Sequence, residues 1–108
     1  MKESDWIIFS NLVPDLRERR LQRTNQAIAS LLSAPDRSGT ERFWNAAERI
    51  KTEEMLLHDC LDNLNRSHFC DSILLMLRNG MMTEADLQMF SPELRATMLS
   101  LNQLKAAG

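Results

Sequence analysis

The sequence predicts an all-α fold, a small domain of five to six helices built on a long antiparallel helical hairpin. The 108 residues include only three glycines, three prolines and no tyrosine, so residues typical of hairpin turns and strands are scarce. Apolar residues instead recur at helical spacing along most of the chain. A hydrophobic content of 44% in a chain of this length predicts a single helical domain over residues 1–108.

The first two predicted helices meet at a proline. Ser4 or Asp5 is expected to cap a short first helix, because both side chains accept hydrogen bonds from free backbone N–H groups. Pro14 then marks a boundary and is expected to open a second helix that ends at Ala34. The segment that follows Ala34 is rich in turn-forming residues and is predicted to be a loop.

The third predicted helix carries the strongest periodic signal. It is expected to start at a capping box formed by Ser38 and Glu41, with Thr40 as an alternative cap. Most of its apolar residues recur at alternating spacings of four and three positions over about three heptads, and we call this row the seam. The pattern predicts that the seam is a buried face that pairs with the second helix. These seam residues are Phe43, Ala47, Ile50, Glu54, Leu57, Leu61 and Leu64. Because four short helices leave such a hairpin partly uncovered, a homodimer through the third helix is one expected assembly. Glu54 would then pair with an arginine such as Arg20 or Arg23, or lie at the wet edge of the interface.

Three shorter helices are predicted in the last third of the chain. Ser67 is expected to cap the fourth helix, and Asn79–Gly80 to end it, because glycine adopts the left-handed conformation that terminates helices. Thr83 is expected to open a short fifth helix. Ser91–Pro92 gives the sixth helix an N-cap followed by a proline at its first position.

No catalytic or cofactor-binding pattern is found in the sequence. Three glycines and two histidines supply neither a phosphate-binding glycine loop nor a Ser-His-Asp triad, so no catalytic residue and no cofactor is predicted. The side chains that could serve as metal ligands are those of His58, Cys60, His68 and Cys70. Residues two apart on a helix point in nearly opposite directions, so we expect no shared ion. A metal-dependent enzyme around His58 and His68 is therefore the third hypothesis for function.

Four arginines form the densest positive charge in the chain, and they are the candidate contacts to nucleic acid or an acidic partner. They are Arg17, Arg19, Arg20 and Arg23. Asp15 and Glu18 dilute this charge, and the net charge of the whole chain is −2, which gives no general attraction to polyanions. A nucleic-acid-associated regulator that uses the Arg17–Arg23 cluster is therefore the alternative function.

Methionine is enriched, with seven residues in the chain, and suggests an adaptable apolar surface. Met81 and Met82 are adjacent in a predicted turn, where a monomer normally exposes polar residues. The expected partner-binding surface consists of Met81, Met82, Leu87, Met89 and Phe90. The preferred function is a small non-catalytic protein-binding or regulatory module, such as an inhibitor, an adaptor or an assembly subunit, with another protein as its partner.

The chain shows no sign of export. The apolar run at residues 6–9 is too short for a membrane span and is preceded by acidic residues, unlike a signal peptide. Two cysteines are too few for a disulfide scaffold and favour a reducing compartment. We therefore expect a cytoplasmic location and no membrane partner.

Overall fold

A computed structural model describes the backbone of residues 2–107 and the side chains of residues 2–104. Over that range the chain forms four α-helices and no strand: α1, Glu3–Leu32; α2, Gly39–Leu61; α3, Phe69–Arg78; and α4, Pro92–Ala107. A 3₁₀ turn, Asp86–Met89, lies between α3 and α4. The molecule is elongated, with principal extents of 52 × 30 × 22 Å. The predicted all-helical class is confirmed.

The number of helices is four rather than the predicted five to six. α1 continues through Pro14, so the boundary predicted at this residue is wrong. Pro14 lacks the N–H of a regular helical residue and its ring is exposed, while Leu12, Val13 and Leu16 on either side of it are buried. Burial of this shared apolar face holds the helix together across the missing hydrogen bond. The predicted fifth helix is only the 3₁₀ turn.

Three predicted helix ends are confirmed by their hydrogen bonds. The Glu41 N–H donates to Ser38 Oγ at 3.1 Å and the Ser38 N–H donates to Glu41 Oε1 at 3.2 Å, which completes the capping box of α2. α3 ends before Gly80, whose φ of 74° is in the left-handed region. Ser91 Oγ accepts from the Leu94 N–H at the start of α4. α3 begins at Phe69, two residues after the cap that the sequence suggested.

One end of the molecule is built around an apolar core, and we call this part, residues 3–20 and 58–104, the head. The rings of Trp6, Phe9 and Phe69 pack with centroid separations of 5.4 to 5.9 Å. Asp5, which is buried, accepts hydrogen bonds from the Ser91 N–H and hydroxyl and so joins α1 to the start of α4. The largest fully buried side chains are Phe9, Leu16, Phe69, Ile73, Met76, Met81, Met82, Leu87 and Met98.

The other end is an antiparallel pair of helices, and we call this part, residues 21–57, the arm. It contains the C-terminal part of α1, the loop after Leu32 and most of α2. Arg42 Nε donates to the Ala34 carbonyl across the loop at 2.6 Å. Only Thr24, Ala46 and Glu53 are buried in the arm. The arm therefore has almost no apolar core of its own.

Candidate protein-binding face

The face of α2 that contacts α1 lies one residue earlier in the sequence than the predicted seam. The buried residues of α2 are Ala46, Glu53 and Cys60, whereas the seam was predicted at Ala47, Glu54 and Leu61. The predicted burial of Phe43 and Ile50 is wrong, because these side chains are 58% and 49% exposed. Toward the head the seam is partly covered, and its remaining leucines are half-buried against the core: Leu57, Leu61 and Leu64.

A buried carboxylate explains which face of α2 meets α1. Glu53 is 3% exposed and accepts hydrogen bonds from Arg20, Arg49 and Thr24 at 3.0 to 3.1 Å. Burial by itself raises the pKa of Glu53, but the hydrogen bonds from Arg20, Arg49 and Thr24 outweigh it and hold the pKa below the ordinary value. Turning α2 so that its apolar seam faced α1 would separate Glu53 from the two donors on α1, Arg20 and Thr24. Within the chain the partner of Arg20 is thus Glu53.

This rotation leaves an apolar surface uncovered along one side of the arm, and we call it the open face. α2 contributes apolar residues that are seven positions apart, and α1 contributes the apolar residues that lie on the same side of the helix pair. The members are Leu21, Ile28, Leu32, Phe43, Ile50 and Leu57. Between the two helices lies a groove of about 410 Å³, lined mainly by Leu21, Ile28, Ile50 and Leu57, with Asn25 and Glu54 among its polar residues.

The other side of the arm is cationic. A shallow pocket of about 200 Å³ is lined by Arg20, Arg23, Thr24 and Arg49. Two of these arginines, Arg20 and Arg49, share an ion pair with the single carboxylate of Glu53. The two sides of one helix pair therefore present different chemistry, an apolar groove on one side and guanidinium groups on the other.

Four of the five residues predicted to form a partner-binding surface are buried in the head. Gly80 turns the chain back over the end of α3, and the N–H groups of Met81 and Met82 both donate to the Met76 carbonyl, at 2.9 and 3.2 Å. This turn directs both methionines into the core, so the prediction that they are exposed is wrong. Leu87 and Phe90 are also buried, and only Met89, 56% exposed, lies on the surface.

The arginine cluster is used largely inside the molecule. Arg20 donates to the Asn79 carbonyl at 2.9 Å and Arg23 to the Gly80 carbonyl at 3.1 Å. Arg19 donates to the Met81 carbonyl at 3.3 Å and forms an ion pair with Asp86 at 2.6 Å. Three guanidinium groups thus bind the backbone carbonyls of the turn that follows α3. The sequence feature that indicates free carbonyls for these arginines is the helix stop at Asn79–Gly80. Arg17, the fourth arginine of the cluster, is exposed.

The histidines and cysteines do not face a common point. Cys60 is fully buried in the core, and burial raises the pKa of both its thiol and that of Cys70. His58 is exposed, with its Nδ1 3.0 Å from Asp62 Oδ2, and His68 Nδ1 lies 2.9 Å from Asn65 Oδ1. Among the described side chains, no group of three or more His, Cys, Asp or Glu residues is placed to hold a metal ion.

Comparison of the sequence with protein-family models gave no match, and neither curated proteins nor solved structures gave one. In the part of the chain that the structure describes, no helix has the length and apolarity needed to span a membrane. The open face of the arm carries exposed apolar residues from two helices, Leu32 on α1 and Phe43 and Ile50 on α2, beside an apolar groove.

Proposed function

We propose that this chain is a non-catalytic helical module that works by binding another protein chain through the open face of its arm. The observation that supports the proposal is the exposed heptad seam of α2 beside the apolar groove. Single exposed apolar residues are common on protein surfaces, but Phe43, Ile50 and Leu32 are each about half exposed on one side of the same helix pair. A regulatory or assembly role follows from this mode of action.

The spacing of the open face favours a helical partner. Phe43, Ile50 and Leu57 are seven residues apart, which is the repeat that inserts side chains into the spaces of a facing helix. A partner with apolar residues at positions i, i+3, i+4 and i+7 would fill the groove between α1 and α2.

The arm is already ordered before a partner binds. The hydrogen bonds of Glu53 with Arg20 and Thr24 tie α1 to α2, and the capping box at Ser38 fixes the start of α2. Binding therefore requires little new ordering of the backbone, which lowers its entropic cost. The free thiols of both cysteines are consistent with a cytoplasmic setting, which remains part of the proposal.

The two other predicted functions stay predictions, and the structure gives them less support. Arg19, Arg20 and Arg23 are engaged with carboxylate or carbonyl oxygens of the chain itself, which reduces what they can offer to phosphates. The candidate ligands of a metal-dependent enzyme, His58 and Cys60, lie in different environments, one exposed and one in the core.

Site-specific photocrosslinking in cells that contain the protein tests the proposal. A benzophenone amino acid replaces Phe43, on the open face, or Met89, which is equally exposed but lies on the head. We expect a protein adduct from position 43 and none from position 89. Any adduct should then disappear when Ile50→Lys is added to the crosslinking chain. Absence of a protein adduct at position 43, or equal adducts at both positions, would contradict the proposal.

A further inference from the structure

We infer that the cationic pocket of the arm is a binding site for one phosphate dianion, which is either free inorganic phosphate or the phosphate group of a monoester. The pocket has a volume of about 200 Å³ and is lined by Arg20, Arg23, Thr24 and Arg49. It lies on the side of the helix pair away from the open face, so the inference does not depend on the proposed function. Its support comes from the charge of the pocket, from its unused donors and from the contacts that hold the arginines.

The pocket carries more positive charge than the chain neutralises. Arg20 and Arg49 share the single carboxylate of Glu53, and none of the residues that line the pocket is acidic. Arg23 forms no ion pair with any of the described side chains. Its hydrogen bond to the Gly80 carbonyl engages a neutral group and leaves its charge in place. Three guanidinium groups and one carboxylate therefore leave a formal charge of +2, in a chain whose net charge is −2.

Two of the arginines keep donors that the chain does not use. A guanidinium group has five N–H donors in one plane. Arg49 donates from Nη1 to Glu53 Oε1 at 3.0 Å, and Arg23 donates from Nη2 to the Gly80 carbonyl at 3.1 Å. Within the described part of the chain each makes this one side-chain hydrogen bond, so Nε and one Nη of each remain unused. Because Arg23 lies on α1 and Arg49 on α2, both helices that enclose the pocket supply free donors.

The arginines are held in place before a ligand binds. Glu53, which is buried, accepts hydrogen bonds from Arg20 Nε and Nη2 and from Arg49 Nη1 at 3.0 to 3.1 Å. Arg23 is held by the Gly80 carbonyl. A long side chain that is already fixed loses less conformational freedom when it binds a ligand. These contacts therefore lower the entropic cost of binding an anion in the pocket.

A phosphate group matches the pocket in geometry and in charge. Its oxygens accept paired hydrogen bonds from the parallel N–H groups of a guanidinium. A phosphate monoester carries a charge of about −1.5 to −2 near neutral pH, close to the uncompensated charge of the pocket, whereas a carboxylate carries only one negative charge. A nucleic acid presents phosphates in a row, but Arg17 and Arg19 do not line the pocket and Arg19 is paired with Asp86. The pocket therefore suits one phosphate group better than a polynucleotide.

Calorimetric titration of the purified full chain with inorganic phosphate and with phenyl phosphate tests the inference, at a constant ionic strength of about 0.1 M. We expect saturable binding of one ligand per chain, with a dissociation constant of about 1 mM or lower. Arg23→Gln and Arg49→Gln should each raise this constant at least about tenfold, because each removes a charge and free donors. Arg17→Gln is the matched control: it removes the same charge at an exposed residue outside the pocket and should change the constant less than about twofold.

NMR spectroscopy of the wild type locates the site without any substitution. The Nε–H resonances of Arg23 and Arg49 should shift as either ligand saturates the chain, and that of Arg17 should not. Binding of both ligands assigns the site to the phosphate group itself, and binding of phenyl phosphate alone assigns it to a monoester; both results support the inference.

Three results would overturn it: no saturable binding of either ligand up to about 10 mM, equal weakening by Arg17→Gln, or shifts confined to arginines outside the pocket. None of these results would bear on the proposed function, because the open face takes no part in either measurement.

Discussion

The head and the arm use the same two long helices in different ways. In the head, the first half of α1 packs against α3, α4 and the end of α2, and these layers close over aromatic and methionine side chains. In the arm, α1 meets α2 alone, and the contact between them is built from Ala46, Thr24 and the buried carboxylate of Glu53. Because the two helices meet through these residues rather than through their apolar stripes, only a further layer could bury the stripes. The head therefore supplies stability, and the arm supplies an ordered surface that another chain can cover.

The largest expected difference between the two regions is the loss of stability when one phenylalanine in each is replaced by alanine. Phe69→Ala in the head should lower the free energy of unfolding by about 3 to 5 kcal/mol, because the ring is fully buried and its loss leaves a cavity. Phe43→Ala in the arm should cost less than about 1 kcal/mol in the monomer, since that ring is mostly exposed. Urea denaturation at low protein concentration measures both. Equal losses would mean that the arm has a closed core of its own.

The next largest effect is expected at Glu53, the buried carboxylate at the contact between α1 and α2 in the arm. Glu53→Gln keeps the size of the side chain but removes the charge that Arg20 and Arg49 bind, and should cost about 2 to 3 kcal/mol. The neighbouring Glu54→Gln is the matched control, and because Glu54 is exposed its change should stay within about 0.5 kcal/mol. Thermal denaturation at neutral pH distinguishes the two variants. Similar losses for both would mean that Glu53 does not determine which face of α2 meets α1.

The same carboxylate should make stability depend on pH. The pKa of Glu53 is lower in the folded chain than its ordinary value of 4.5, so the folded state binds this proton less tightly than the unfolded state. Its contribution is therefore fully present above about pH 4.5 and is lost as the pH falls through the lower folded pKa. Other carboxylates, such as Asp86 and Glu41, also have lowered pKa values. The difference between wild type and Glu53→Gln isolates Glu53, and it should shrink in acid.

The contrast between the regions also explains what the sequence could predict. Local signals identified the helical class, the capping box at Ser38, the stop at Gly80 and the start of α4, because each depends on residues close together in the chain. Periodicity found an apolar seam on α2 but could not tell whether another helix covers it. That outcome depends on Arg20, 33 residues away from Glu53.

The same limit accounts for the misplaced partner-binding surface. A pair of methionines in a turn resembles an exposed patch when only neighbouring residues are considered. In the fold, the turn after Gly80 directs Met81 and Met82 into a core whose other side comes from α1 and α4. The homodimer predicted through the α2 seam remains a prediction, and the exposure of Phe43 and Ile50 gives it a defined surface.

A smaller effect is expected within the head, at the ion pair of Asp86 with Arg19. Asp86 binds Arg19 and accepts hydrogen bonds from the Thr83 N–H and hydroxyl at 2.8 and 3.0 Å. Asp86→Asn should lower the free energy of unfolding by about 1 to 2 kcal/mol, because the cap weakens and the ion pair is lost. Arg17→Gln, an exposed change in the same arginine cluster, should stay within about 0.5 kcal/mol. If Arg17→Gln proved as costly as Asp86→Asn, the division of roles within this cluster would be wrong.

The smallest expected effect lies at the tip of the arm. Ser38→Ala removes the Oγ acceptor of the Glu41 N–H and half of the capping box, and should cost about 0.5 to 1 kcal/mol. Hydrogen exchange should accelerate at the amides of residues 39–42, while the amides of α3 keep their protection, because α2 packs against the core at its other end, through Leu57, Cys60 and Leu61. Ser10→Ala, at an exposed position inside α1, should produce neither change. If the amides of α3 lost protection together with those at the tip, the two regions would unfold as one unit. If only the tip responds, the start of α2 can loosen while the head stays folded, and Phe43, one turn into the helix, would then be the first residue of the open face to lose its position.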